Sequence, residues 1–326
     1  MPHSELGERK IIDLVYRGLE KMPGTILPFG DDVSTVTNRG RFSAVLKTDM
    51  LVGKTDILPR MTLYQAARKA IVMCVSDFAA KGVKPLAALV ALGIPEGFDK
   101  RKVKEIARGL SHGIKEYGAY IIGGDTNEAD DLIIAPTLYG FCRSTQIIPR
   151  GGARPGDILA VSGLFGRTTA SLKILLDGFK TSEHLRNKIL RSAYLPEAKL
   201  NLGLNLKKYN VTASIDSSDG LAWSLHELAK SSDVGFRVNR LPIAKEVETF
   251  AETNGLDPFD LVFYGGEEYE LVFTVASKSF QKMKKTFGKR IMEIGKVAKK
   301  DLIYETKKSR RKIEPEGWEH FKMKSK

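Results

Sequence analysis

The sequence has only two cysteines and five histidines. Cys74 lies in Ile71-Val-Met-Cys-Val75 and Cys142 follows Tyr139-Gly-Phe141, apolar settings that suit buried free thiols rather than a disulfide. A zinc site is disfavoured, because its ligands come as paired cysteines and histidines. Long apolar runs are missing too. The longest, such as Leu86 to Ile94, is about half of the roughly 18–20 residues that cross a bilayer, so no membrane partner is expected. Met1 to Lys10 is polar and carries acids, unlike a signal peptide, and the expected location is the cytoplasm. Acids are the minority charge: 39 Asp and Glu against 52 Lys and Arg, a net +13. The excess gathers late, at Lys284, Lys285, Lys289, Arg290, Lys299, Lys300, Lys307, Lys308, Arg310, Arg311 and Lys312. Aromatics are not interleaved with it and no nucleic-acid module signature appears, so it reads as solvated surface, with no nucleic-acid partner. A P-loop is absent as well. Gly53-Lys54-Thr55 imitates its end, but the required glycine five residues before Gly53 is Thr48, and Pro59 opposes a long helix after it. Gly163-Leu-Phe-Gly166 suits a plain strand-to-helix turn better than an anion site.

What remains is globular, with 42% apolar and 28% charged residues. Periodicity predicts helices over 8–20, 62–80, 99–117, 167–177, 197–206, 221–231, 245–254 and 278–287. It predicts strands over 43–46, 86–92, 120–122, 132–139, 158–162, 212–215, 234–238, 270–275 and 290–295. Thr62 and Gln65 form a capping-box pattern, and Gly82 follows that helix. The class is α/β (mixed α+β) in two halves. The turn-rich Pro149-Arg-Gly-Gly-Ala-Arg-Pro-Gly156 sets the expected boundary, giving domains 1–148 and 149–326. Each half has a Gly-Gly-acid turn beside a strand, Gly123-Gly124-Asp125 and Gly265-Gly266-Glu267, a weak hint of related folds.

Carboxylates recur at strand ends and turns. They stand in Gly30-Asp31-Asp32, Thr48-Asp49, Ser76-Asp77, Gly123-Gly-Asp125-Thr126, Asp216-Ser-Ser218-Asp219-Gly220 and Gly265-Gly-Glu267-Glu268. Singly, each is also a turn or a cap. Ser76-Asp77 resists that reading, because it interrupts the apolar stretch Ala70 to Ala80 and a buried acid needs a partner. Thr48-Asp49 directly follows an apolar strand, where α/β sites tend to form. Carboxylates repel one another unless cations join them, and magnesium takes oxygen ligands and bridges them to phosphates. The pattern therefore points to phosphoryl transfer, with Arg150 and Arg154 as further charge.

In order and spacing these motifs resemble the thiamine-monophosphate kinases of the aminoimidazole-ribonucleotide-synthetase superfamily. The resemblance rests on Gly30-Asp31-Asp32, Thr48-Asp-Met-Leu-Val52, Ser76-Asp-Phe-Ala-Ala80, Ile122-Gly-Gly-Asp-Thr126 and Arg150 with Arg154-Pro-Gly-Asp157. It also rests on Asp216-Ser-Ser-Asp-Gly-Leu221, Gly265-Gly-Glu-Glu-Tyr-Glu-Leu271 and Gly317-Trp-Glu-His-Phe321. It implies a two-domain aminoimidazole-ribonucleotide-synthetase-like fold, the first domain binding ATP and metal and pairing in a homodimer. Asp31, Thr48, Asp49, Asp77, Asp125, Asp216 and Asp219 would hold several magnesium ions. Tyr117, Gly124, Asp125, Arg150 and Ser218 would contact ATP. Glu267 or Glu268 and Trp318 would contact the thiamine moiety, and Asp56 stands where many family members carry a substrate-side histidine. Trp318 suits a cationic thiazolium and equally suits anchoring of the C-terminal segment. Glu128 stands where bacterial relatives often have a basic residue. The implied reaction is direct in-line transfer of the γ-phosphoryl group of ATP onto thiamine monophosphate, with no acid–base residue required. Selenophosphate synthesis, a rival within the superfamily, expects a reactive cysteine near the N-terminus, and none precedes Cys74. Aminoimidazole ribonucleotide synthesis gives no reason for the Glu267–Glu270 and Trp318 motifs.

Overall fold

The structure, a computed structural model, describes residues 7–20, 22–37, 41–307 and 309–319. Residues 1–6 of the polar N-terminal segment, Lys308 of the basic run, and His320 and Phe321 of the last motif lie outside the described residues.

The first half runs α1 (Glu8–Arg17), β1 (Ser34–Thr37), β2 (Phe42–Thr48), β3 (Leu51–Val52), α2 (Gly53–Asp56), α3 (Leu63–Lys81), β4 (Pro85–Ile94), α4 (Lys100–Glu116), β5 (Tyr120–Glu128) and β6 (Ile133–Arg143). Its six strands make one sheet in the order β1-β2-β6-β4-β5, with β3 beside β6. The second half runs β7 (Ile158–Val161), α5 (Arg167–Leu175), α6 (Glu183–Tyr194), α7 (Leu200–Leu206), β8 (Ala213–Asp216), α8 (Leu221–Ser232), β9 (Gly235–Val238) and α9 (Lys245–Asn254). It continues through α10 (Pro258–Phe263), β10 (Leu271–Val275), α11 (Ser277–Phe287), β11 (Met292–Ala298), β12 (Leu302–Glu305) and β13 (Arg310–Lys312). These seven strands order as β13-β12-β9-β11-β7-β10-β8.

Helix α3 is the central element. Thr62 accepts from Gln65 N while Gln65 returns a bond to Thr62 N, and Gly82 closes the helix in the left-handed region at φ 68°. Fifteen of its residues are buried, which leaves it no solvent face and makes it a helix packed on all sides. Its alanines permit close approach. On α4, a Cβ added at Gly109 would come within 2.3 Å of the Tyr64 carbonyl oxygen, so the glycine sets the α3–α4 separation. The largest apolar cluster crosses between the halves, joining Val45, Phe78 and Leu138 to Ile158, Leu271 and Phe273.

The mixed class and the two-half pattern are as expected, and several elements differ. Gly123-Gly124-Asp125 is no turn: it lies inside β5, because backbone pairing with β4 outweighs the glycines' turn preference. Helix α1 stops at Arg17, where Gly18 follows. Helices α2, α6 and α10 and strands β1, β3, β12 and β13 were not expected. Strand β13 is Arg-Arg-Lys and exposed throughout; only pairing with β12 makes it a strand, and periodicity carries no trace of that. Helix α6 has few apolar positions, and packing against α5 supplies its buried face.

Candidate metal and phosphate site

The alternation of β2 turns Ser43, Val45 and Lys47 toward α3, and the strand ends at Thr48. On α3, Asp77 and Lys81 are one turn apart and share a face. Strand β8 ends at Asp216. Helix α3, the end of β8 and the Gly30-Asp31-Asp32 segment before β1 place Asp32, Asp77 and Asp216 so that a carboxylate oxygen of each lies within 4.8 Å of the others, all three residues being buried.

Three cations face the group. Lys81 is 0% exposed; its Nζ lies 2.6 Å from Asp31 Oδ1 and 2.8 Å from Asp32 Oδ2, and donates to Ser214 O at 2.8 Å. Lys47 Nζ lies 3.1 Å from Asp77 Oδ2 and 3.3 Å from Asp49 Oδ1. Arg150 Nε donates to Asp32 Oδ1 at 3.1 Å, its Nη1 reaches Glu227 at 3.2 Å, and its backbone N–H donates to Asp31 Oδ2 at 3.0 Å. Burial would raise the Asp32 carboxyl, but Arg150 and Lys81 outweigh it and hold the pKa below the usual value. Asp77 goes the other way: burial, with repulsion from Asp216 and Asp49, pushes it well up despite Lys47. Burial and the Asp32 charge push Asp216 up to about 7. Lys47 is held well above its usual value, Asp49 and Asp77 overcoming its burial. The protein's own cations thus leave the ionised forms of Asp77 and Asp216 incompletely balanced.

The other expected site residues fall in several places. Thr48 Oγ1 donates to Pro136 O at 3.2 Å beside the cluster. Asp219 is half-exposed, with Arg9 3.6 Å away. Ser218 is exposed, and its carbonyl oxygen accepts from Glu267 N at 2.5 Å. Asp125 is exposed on β5, outside the buried trio. Gly124 sits against the sheet: a Cβ there would fall 1.9 Å from Val90 O, so close strand approach explains that glycine. Tyr117 ends α4, accepts from Ala198 N at 3.0 Å, and lines a separate cleft of about 520 Å³ with Lys199 and Arg290.

Asp56, Lys69, Gly266, Glu267 and Trp318 line a narrow cleft of about 30 Å³, room for about one water, so a larger ligand requires these side chains to part. Lys69, 1% exposed, pairs with Glu267 and donates to Asp56 O at 3.1 Å. The Asp56 carboxylate accepts from Val52 N at 2.7 Å, which ties it to its own turn. Glu268 turns away to accept from Gly166 N at 2.7 Å and Thr168 N at 3.1 Å, capping α5. Sequence reasoning passed over Asp32 as a separate ligand, and over Lys47, Lys69 and Lys81. Lys81 had a signal, a lysine four residues after Asp77 in an otherwise apolar helix. The charge of Lys47 gave no hint of its inward direction beyond strand alternation.

The donor set is all oxygen, carboxylates at strand ends beside a buried helix, which defines a class of α/β proteins suited to hard cations and phosphates. Residues 30–142 match the family model for the AIR synthase related protein, N-terminal domain, and residues 154–307 that for its C-terminal domain; the chain belongs to the AIR synthase related family. It is 39% identical to the thiamine-monophosphate kinase of Nitrosopumilus maritimus over 282 residues, 85% of this chain and 89% of that protein. It is 36% identical to the thiamine-monophosphate kinase of Pyrococcus horikoshii over 90% of this chain and 91% of that protein. Among solved structures, AaThiL complexed with AMPPCP and TMP matches with a TM-score of 0.85 at 29% identity, covering 98% of this chain and 99% of that one.

The raised Asp216 gives a pH signature. Between about pH 4 and pH 7 native Asp216 keeps a proton that the unfolded chain has lost, so in chelator its contribution to stability falls as pH rises through that window. Denaturant titrations of wild type and Asp216→Asn are expected to show the wild-type advantage shrinking by up to about 4 kcal/mol from pH 4 to pH 7 and levelling above it. A difference independent of pH would contradict the burial argument.

Proposed function

We propose that this chain phosphorylates thiamine monophosphate to thiamine diphosphate with ATP and magnesium, by direct in-line transfer. The buried Asp32–Asp77–Asp216 group carries the reading, in a chain whose relatives are thiamine-monophosphate kinases over most of their length. The residues fit a divalent ion: the donors are oxygens, and two of the three carboxyls are raised, by burial first and by neighbouring carboxylates second. Asp49, Asp77 and Asp216 would hold magnesium with Asp32, and Thr48, Asp31, Asp125 and Asp219 would serve further ions. When bound, the metal neutralises phosphate charge and orients the transferred group. Arg150 and the Ser218 segment hold the nucleotide side, with Gly124 and Tyr117 as further nucleotide contacts. The chain's own work is positioning and charge balance, since an acceptor that is already a phosphate needs no strong base.

On the substrate side, Glu267 faces the cleft and Glu268 caps α5, so we assign the thiazolium to Glu267 and Trp318, with Asp56 and Lys69 beside them. Residues 1–148 form the ATP-binding, dimer-forming domain and 149–326 the second, which contributes Asp216 to the metal site. The dimer face is the outer side of the first sheet, where Phe42, Leu89, Tyr120, Ile122, Tyr139 and Phe141 are exposed.

Purified protein is expected to make thiamine diphosphate from ATP and thiamine monophosphate only with magnesium, and to leave free thiamine untouched. Asp49→Asn and Asp77→Asn are each expected to cut turnover by about a hundredfold or more while remaining folded by circular dichroism; normal activity in either would sink the metal assignment. Kinetics separate the two glutamates. Glu267→Gln should raise KM for the monophosphate several-fold, whereas Glu268→Ala should lower stability by about 1 kcal/mol through the lost cap; the opposite pattern would exchange their roles. Light scattering should report a dimer for wild type and a monomer for Ile122→Glu, and an unchanged mass for the variant would move the interface elsewhere.

A further inference from the structure

We infer that Lys47 and Lys81 are resident cations of the metal site, one permanent and one displaceable, so that the metal-free cluster lacks the charge of a single divalent ion. The inference rests on the magnesium part of the proposed function and not on the identity of the acceptor. Five aspartates, at positions 31, 32, 49, 77 and 216, converge on three cations, Lys47, Lys81 and Arg150. With all five ionised, two negative charges are left over.

The two lysines are not equivalent. Lys81 is fully enclosed; its ammonium donates to Ser214 O and lies 2.6 Å from an oxygen of Asp31 and 2.8 Å from one of Asp32. It is a strut between the Gly30-Asp31-Asp32 segment, α3 and β8. Lys47 keeps 22% of its side chain exposed and, among the described residues, pairs only with Asp49 and Asp77, at 3.3 and 3.1 Å. Those two carboxylates are ones that the metal would also need. A cation in that place opposes a second cation, so Lys47 competes with the ion for Asp49 and Asp77 and has a solvent side to withdraw to. Before metal arrives, the same charge restrains the two acids from repelling each other apart.

The test is a titration of chelator-stripped full-length protein with Mn2+, followed by electron paramagnetic resonance, with no ATP or thiamine monophosphate present. Lys47→Met is expected to bind Mn2+ at least tenfold more tightly than wild type. Its thermal midpoint should fall in chelator and recover with Mn2+. Lys47→Arg, which keeps the charge, should resemble wild type in both readings. Lys47→Gln repeats the measurement with a polar neutral side chain, so a packing defect peculiar to methionine does not decide the result. Unchanged or weaker Mn2+ binding in both neutral variants, or an equal loss of thermal midpoint with and without Mn2+, would overturn the inference and leave Lys47 as a structural ion-pair partner. Metal binding as described in a chain that phosphorylates a different acceptor would uphold the lysine assignment and remove only the substrate assignment.

Discussion

Charge neutralisation around α3 is the constraint on which the site depends. Carboxylates from three separate stretches of chain meet at that helix, and no such meeting is stable unless cations join it. The protein supplies them from within: Lys81 and Lys47 from the fold's interior, and Arg150 from the segment between the sheets. Each ion gives up water to be there, and a buried pair seldom returns more than that loss. The network is therefore better understood as fixing position than as adding stability. It holds the Gly30-Asp31-Asp32 segment, the end of β2, the middle of α3 and the end of β8 at one point.

The same helix explains how the two halves come to share one core. Its apolar sides join a core drawn from both sheets, and its ionic side ties both sheets to the cluster. The cleft proposed for the substrate uses its first turns, where Lys69 pairs with Glu267 and donates to Asp56 O. The proposed metal and substrate sides are thus spaced along one helix, from Lys69 to Asp77, about two turns or roughly 12 Å. A rigid spacer suits a reaction whose catalysis is mainly the placing of two phosphates.

Much of this was legible in the sequence, for reasons that can be named. Asp77 in an apolar helix could not be explained as solvated surface. The caps at Thr62 and Gly82 marked α3 within a residue, because both act through local backbone geometry. Glycines were less informative. Gly123-Gly124 looked like a turn and lies in a strand, since close approach to β4 and chain reversal both call for a missing side chain. Glu267 and Glu268 were indistinguishable in one dimension, and only the path of the loop turns one toward Lys69 and the other toward α5.

The sequence by itself determined which chemistry was possible: oxygen ligands in excess, few soft ligands, and acids placed where local geometry exposes them to a site. It did so because residue type and short spacing control hardness, caps and periodicity. Tertiary structure alone decided which acids meet and what balances them. Lys47 reads as an ordinary member of a basic chain, and the place of Lys81 in the helix names no partner, until the fold brings them against Asp49, Asp77, Asp31 and Asp32. Electrostatic partnership depends on distances through space and on burial, and neither is a property of neighbours along the chain.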